Sequence, residues 1–192
     1  RTSRGLGDVY KRQDLDYLDQ DKQKNSLTLK KSKKKYFLTG SSFNVDNFIE
    51  DLLSNDDKGS KIININSNLE IDIKKIFLDS EYYLRDFKGN ISIKNSEIQK
   101  ANLIGSFSKN KKLKFTINSV DNNKITTLFV DEAKPFVKRY KFIKGFDEGS
   151  LDFYSSKKSK KSVSQIKIYD FKLKELPILT KILTLASLQG IA

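Results

Sequence analysis

The chain has 192 residues, carries 37 Lys and Arg against 24 Asp and Glu for a formal charge of +13, and is 37% hydrophobic. It contains no Cys and no His, which excludes thiol nucleophiles, disulfides, zinc sites built on those residues and histidine general bases, so serine triads of the usual kind are excluded too. One domain with a sizeable core is the expectation at this length, and the absence of any Met leads us to expect a fragment or a processed piece.

Residues 1 to 13, "RTSRGLGDVYKRQ", are rich in Arg and Gly, whereas the remainder is rich in Lys, Asn, Ile and Phe. This segment resembles a translated sequencing-adapter read-through. Residues 14 to 25 are polar and weakly periodic, so 1–25 is expected to be disordered or artefactual and 26–192 to hold the folded domain. "SLTLKKSKKKYFLTG" reads as two short strands around a basic turn at Lys30 to Lys35. Val45, Phe48, Ile49 and Leu52 then fall on one face of a short helix.

The clearest pattern is "IININSNLEIDI". Ile63, Ile65, Leu69, Ile71 and Ile73 alternate with Asn64, Asn66, Asn68, Glu70 and Asp72, which predicts a long strand with one buried and one wet face. The same parity returns in Phe87, Ile91 and Ile93, in Leu103, Gly105 and Phe107, and in Leu113, Phe115 and Ile117. Short polar turns separate these segments.

A partly helical connection with a proline follows Val130. A hairpin comes next, with Leu151 and Phe153 on one arm and Val163, Ile166 and Ile168 on the other. The inward parity shifts between Ile168 and Phe171, predicting a β-bulge near Tyr169 and Asp170. Lys157, Lys158, Lys160 and Lys161 at its tip read as a solvated turn. From Pro177 the period becomes helical, and Leu179, Ile182, Leu183 and Ala186 form one apolar stripe up to Gly190. About 13 residues at 1.5 Å each reach roughly 20 Å, short of a bilayer's hydrocarbon core. This helix is expected to dock on the apolar face near Leu151, Phe153 and Phe171.

The fold class predicted is therefore mainly β: a long, curved, antiparallel meander with one apolar face, plus one or two short amphipathic helices, one of them C-terminal. No phosphate loop, metal-ligand spacing or nucleophile elbow occurs. The carboxylate pairs Asp56/Asp57, Asp79/Glu81 and Asp147/Glu148 sit in expected loops, where solvation is the ordinary fate. Neither a catalytic activity nor a cofactor is expected. The positive charge is spread along the chain, so a dispersed solvated surface is expected in place of a nucleic-acid recognition stripe.

Residues 131–190 resemble the AsmA-like family, in its branch of large YhdP-like periplasmic proteins. The resemblance is carried by "DEA" at Asp131 to Ala133, by "FDEGSLDF" with Gly149, by "IYDFKL" with Phe171, and by "LPILTKILTLASLQGI" with Pro177, Leu183, Leu188 and Gly190. It implies that 26–192 is an incomplete AsmA-like sheet truncated at its C-terminus. The full-length protein would be anchored to the inner membrane by a segment outside this fragment, and its groove would carry phospholipid acyl chains across the periplasm in support of outer-membrane biogenesis. The groove would be lined by Ile63, Ile65, Leu69, Ile71, Ile73, Ile91, Ile93, Leu113, Phe115, Ile117, Leu151 and Phe153. The competing readings are an interaction scaffold without lipid cargo and a basic polyanion binder.

Overall fold

The computed structural model describes residues 11–19, 22–33, 35–45, 66–95, 97–121, 123–138, 145–158 and 161–174. Period-two alternation carries the chain through β1 (Lys11–Leu18), β2 (Lys24–Ser32), β3 (Lys35–Asn44), β4 (Ser67–Phe77), β5 (Tyr83–Lys94), β6 (Glu97–Ser106), β7 (Lys112–Val120), β8 (Asn123–Val130), β9 (Phe146–Lys158) and β10 (Lys161–Leu173). These make one open ten-stranded sheet whose spatial order is the order in sequence. Between β8 and β9 lies a single helical turn, α1 (Lys134–Val137), with Pro135 inside its first turn.

The meander is antiparallel except at one place. β3 and β4 run parallel, pairing Leu38 with Ile71 and Gly40 with Ile73. The expectation of a wholly antiparallel sheet is corrected here: alternation specifies which face a strand buries, and it carries no information on strand direction.

Two further expectations are revised. Residues 11–25 were expected outside the fold, but Lys11–Leu18 forms β1, in register with β2 from Lys11 opposite Lys31 to Leu18 opposite Lys24. All eight residues of β1 are exposed, so this edge strand is held mainly by its backbone ladder and has no apolar face for periodicity to reveal. The strand expected over 63–73 is observed as β4, extending to Phe77. Ile63 and Ile65 lie outside the described residues, as do Phe48, Ile49 and Leu52 of the expected helix and all of the expected C-terminal helix.

A crease crosses the sheet. Ile73 faces Phe87 and Ile76 faces Leu84, and all four join the apolar cluster. The inward parity therefore switches between them in both strands, at Asp86 with its φ of 50° in β5. Asp is among the few residues other than Gly that accept this left-handed conformation. In β10 the expected parity shift between Ile168 and Phe171 is made without the predicted bulge: the register with β9 is unbroken from Tyr169 opposite Ser150 to Phe171 opposite Glu148, and the two residues between, Asp170 (φ 51°) and Gly149 (φ 89°), both take positive φ. A Cβ on Gly149 would lie 2.8 Å from the Tyr169 carbonyl oxygen, so this second crease requires glycine there.

Beyond the crease the sheet stays open, and side chains from α1 and the adjoining turns cover its apolar face. Ile76, Leu78, Leu84, Ala133, Val137 and Phe146 pack into one cluster with Leu113, Val130 and Leu151, and partly buried Phe43, Tyr82 and Phe136 flank it. The Ala133 amide donates to the Gly149 carbonyl at 2.8 Å and Ala133 is fully buried. The core is therefore concentrated at the α1 end of the strands.

Candidate functional site: an apolar trough across the strands

Strand register sets the apolar side chains in rows running across the sheet. Just below the crease, Leu27 lies beside Gly40 and Gly40 beside Ile73. Ile73 faces Phe87, and on the far side Leu113, Val130, Leu151 and Ile168 follow one another. The next row passes from Leu29 through Leu38 to Ile71, across Gly89 to Leu103 and Phe115, then through Leu128 and Phe153 to Ile166. In the third row Tyr36, Leu69, Ile91, Ala101 and Ile117 stand in line, and the sequence turns polar at Thr126, Ser155 and Ser164.

Eight inter-strand spacings of about 4.8 Å, from β2 to β10, make this surface about 38 Å long. Its depth of cover is graded. Ile73, Leu113, Val130 and Leu151 in the first row are buried, whereas Leu38, Ile71, Leu103, Phe115, Leu128 and Phe153 in the second are half-buried. The outer face at the same level is mainly polar, carrying Glu70, Asn90, Asn102, Thr116 and Gln165, all but Thr116 of them exposed, with Phe37 and Tyr154 as its aromatic members. A hydroxyl pair, Thr116 and Thr127, bridges two of its strands at 2.6 Å.

Gly89 interrupts the second row for a steric reason. Its φ is 153°, and a Cβ would meet the Asn102 carbonyl oxygen at 1.9 Å, so β5 and β6 approach too closely there for any side chain.

The predicted lining is brought to this one face wherever it is described. Ile73, Leu113, Ile117 and Leu151 are buried within it, and Leu69, Ile71, Ile91, Ile93, Phe115 and Phe153 are half-buried along it. Ile63 and Ile65 lie outside the described residues, and so do Leu179, Ile182, Leu183 and Ala186 of the expected docking helix. Val163 does not belong to the face: it pairs with Ser156 on the outer side and is 72% exposed.

Leu29, Leu38, Leu103 and Leu128 belong to the lining as well. The alternation in "LTLKK" and "YFLTG" could have revealed the first two. Leu128 is masked in sequence by its outward neighbour Phe129, which is 46% exposed.

The capped end of the trough is rich in ion pairs. Asp147 accepts from Lys134 at 2.8 Å and from Lys174 at 2.7 Å. The hydrogen bond from Lys134, then that from Lys174, holds its carboxyl down to about 2. Lys138 reaches Glu81 at 3.0 Å and Lys172 reaches Glu148 at 2.7 Å, and each of these lysines is raised above its ordinary value by its carboxylate. Asp147 and Glu148, expected in a loop, thus lie in β9 as ion-pair partners of lysines. Among the described residues no helix is long and apolar enough to cross a membrane, and no cluster of carboxylates could hold a metal ion.

Comparison with protein-family models, with curated proteins and with solved structures found no match to this chain.

Proposed function

We propose that the trough holds phospholipid acyl chains and that the chain is a segment of a larger β-sheet protein conducting lipids between two membranes. The observation carrying this reading is the continuity of the second apolar row from Leu29 to Ile166, half-buried along most of its length. A surface of this kind suits a flexible hydrocarbon: each methylene removed from water contributes about 0.8 kcal/mol, without any directional contact. Gly89 lowers the floor midway and leaves it apolar.

The resemblance of residues 131–190 to the AsmA-like family supplies the biological setting of the proposal: a periplasmic location, an inner-membrane anchor elsewhere in the full-length protein, and a role in outer-membrane lipid homeostasis. In this reading the chain works as a conduit and uses no catalytic residue or cofactor.

The test is photo-crosslinking in cells from positions Phe115 and Ile91 of the full-length protein. Lipid adducts at both positions, reduced when Leu103→Asp places a charge between them in a protein that still folds, are the expected result. Absence of adducts at every trough position would instead favour a scaffold without lipid cargo.

A further inference from the structure

The hairpins of a ten-stranded meander alternate between the two ends of the sheet. The β2–β3, β5–β6, β7–β8 and β9–β10 turns all fall at the end opposite α1. Each of these turns is a two-residue connection, with Lys33, Asn95 and Asp121 in left-handed conformations at the first position of three of them. Part of the charge that is scattered in sequence is gathered at this end by the topology, beside the acidic Glu97 and Asp121, while the other described lysines stay spread over the strands and the α1 end.

Lys33, Lys94, Lys124, Lys157, Lys158 and Lys161 stand on or beside these tips, and the described carboxylates form no ion pair with any of them. Apolar side chains project among them, since Val120 at the β7–β8 tip is 55% exposed and Val163 near the β9–β10 tip 72%. The apolar face ends just short of this rim. Its last cross-strand positions there are polar or basic, with Ser119, Lys124 and Lys157 in line across β7, β8 and β9.

We infer that the hairpin-tip end of the sheet docks on an anionic lipid bilayer. The lysines meet the headgroup charge, Val120 and Val163 enter the interface, and one long edge of the trough is brought to the lipid surface. The combination of unpaired lysines with isolated exposed valines suits a lipid interface, where charge attraction and shallow apolar insertion act together. A nucleic-acid surface would call for a row of stacking aromatics at the tips, whereas beside the described tip turns Tyr36 of β3 stands with the Lys31 ammonium 5.5 Å from its ring centre. The inference extends the proposed function, and the two fail separately because docking requires no lipid to leave the bilayer.

The experiment is co-sedimentation of the full 192-residue chain with phosphatidylcholine vesicles prepared with and without phosphatidylglycerol. Binding to the anionic vesicles alone is expected. Neutralising Lys33, Lys94, Lys157 and Lys161 together as Lys→Gln is expected to weaken it more than about tenfold, given that each lysine near an anionic surface contributes several-fold. A matched variant with Lys74, Lys112, Lys114 and Lys167 changed to Gln removes the same formal charge away from the tips and keeps most of the affinity. V120S with V163S lowers the binding that survives at high salt, where the electrostatic part is screened.

Equal loss in the two quadruple variants, no loss in either, no binding to anionic vesicles, or tighter binding to duplex DNA than to the vesicles at the same salt would each overturn the inference. An unsubstituted chain that sediments with the anionic vesicles, in a full-length protein that yields no lipid adducts at any trough position, would overturn the conduit alone.

Discussion

The two ends of this sheet use the same residues differently. At the α1 end, Lys111, Lys134, Lys138, Lys172 and Lys174 each meet a carboxylate, and Leu84, Ile76 and Val137 behind them are buried. At the hairpin-tip end Lys33, Lys94, Lys157, Lys158 and Lys161 are exposed and, apart from the Lys35–Glu70 pair, the described lysines beside the turns meet no carboxylate, while Leu69, Ile91 and Ile93 near them are half-covered and Ile117 and Ala101 are buried. A strand continuous through both environments has its stability anchored at one end and an exchangeable surface at the other. Stability and binding therefore draw on different residues of the same strands.

The largest expected effect comes from removing core at the α1 end. Leu84→Ala should cost about 2–5 kcal/mol, because Leu84 is 1% exposed and the neighbouring strands cannot collapse fully into the space. Ile91→Ala, on the same strand in the half-buried trough, should cost under about 1.5 kcal/mol, because less surface returns to water. Urea denaturation of the two variants measures the difference, and equal losses would abolish the distinction between the ends.

A polar counterpart closes the same end near β1. Asn25 is fully buried, its side-chain oxygen accepts from the Asn44 amide at 2.7 Å, and its nitrogen donates to the Gln23 carbonyl at 3.1 Å. Asn25→Ala removes a fully buried side chain together with its bonds to the Asn44 amide and the Gln23 carbonyl, and should cost about 1–3 kcal/mol. The loss should appear in the same urea series, together with faster amide exchange at Asn44.

The smallest effect concerns acid. The carboxyl of Asp147 lies near 2 in the folded chain against an ordinary 3.8, so its contribution to stability is fully present above about pH 4. That contribution is lost as the pH falls toward 2. Asp147→Asn should lower stability at neutral pH and flatten the acid limb between these values. Thermal melts from pH 7 to pH 2 would show both, and an unchanged acid limb would mean that the Lys134 and Lys174 contacts are too well solvated to matter.

Much of this molecule was legible in its alternation. The β class, the single apolar face, the lining from Leu69 to Phe153 and the parity shift near Asp170 follow from side-chain parity, because a strand can bury only every second residue; that the shift is made by two positive-φ residues in unbroken register, and not by a bulge, was not legible. Less was legible where parity is silent. β1 presents no apolar face, and the partnership of β3 with β4 spans a long separation in sequence. The crease at Asp86 moves Leu84 onto the same side as Phe87, three residues away.

The sequence by itself determined which residues share a face, since that depends only on the two-residue repeat of an extended backbone. Only the tertiary structure decided which ends meet. Turns far apart along the chain, from Lys33 to Lys161, lie at one end because antiparallel neighbours return the chain to it at alternate hairpins and the one parallel pair sets the phase. Part of the charge scattered along the sequence becomes a rim by that long-range pairing, which no local pattern encodes.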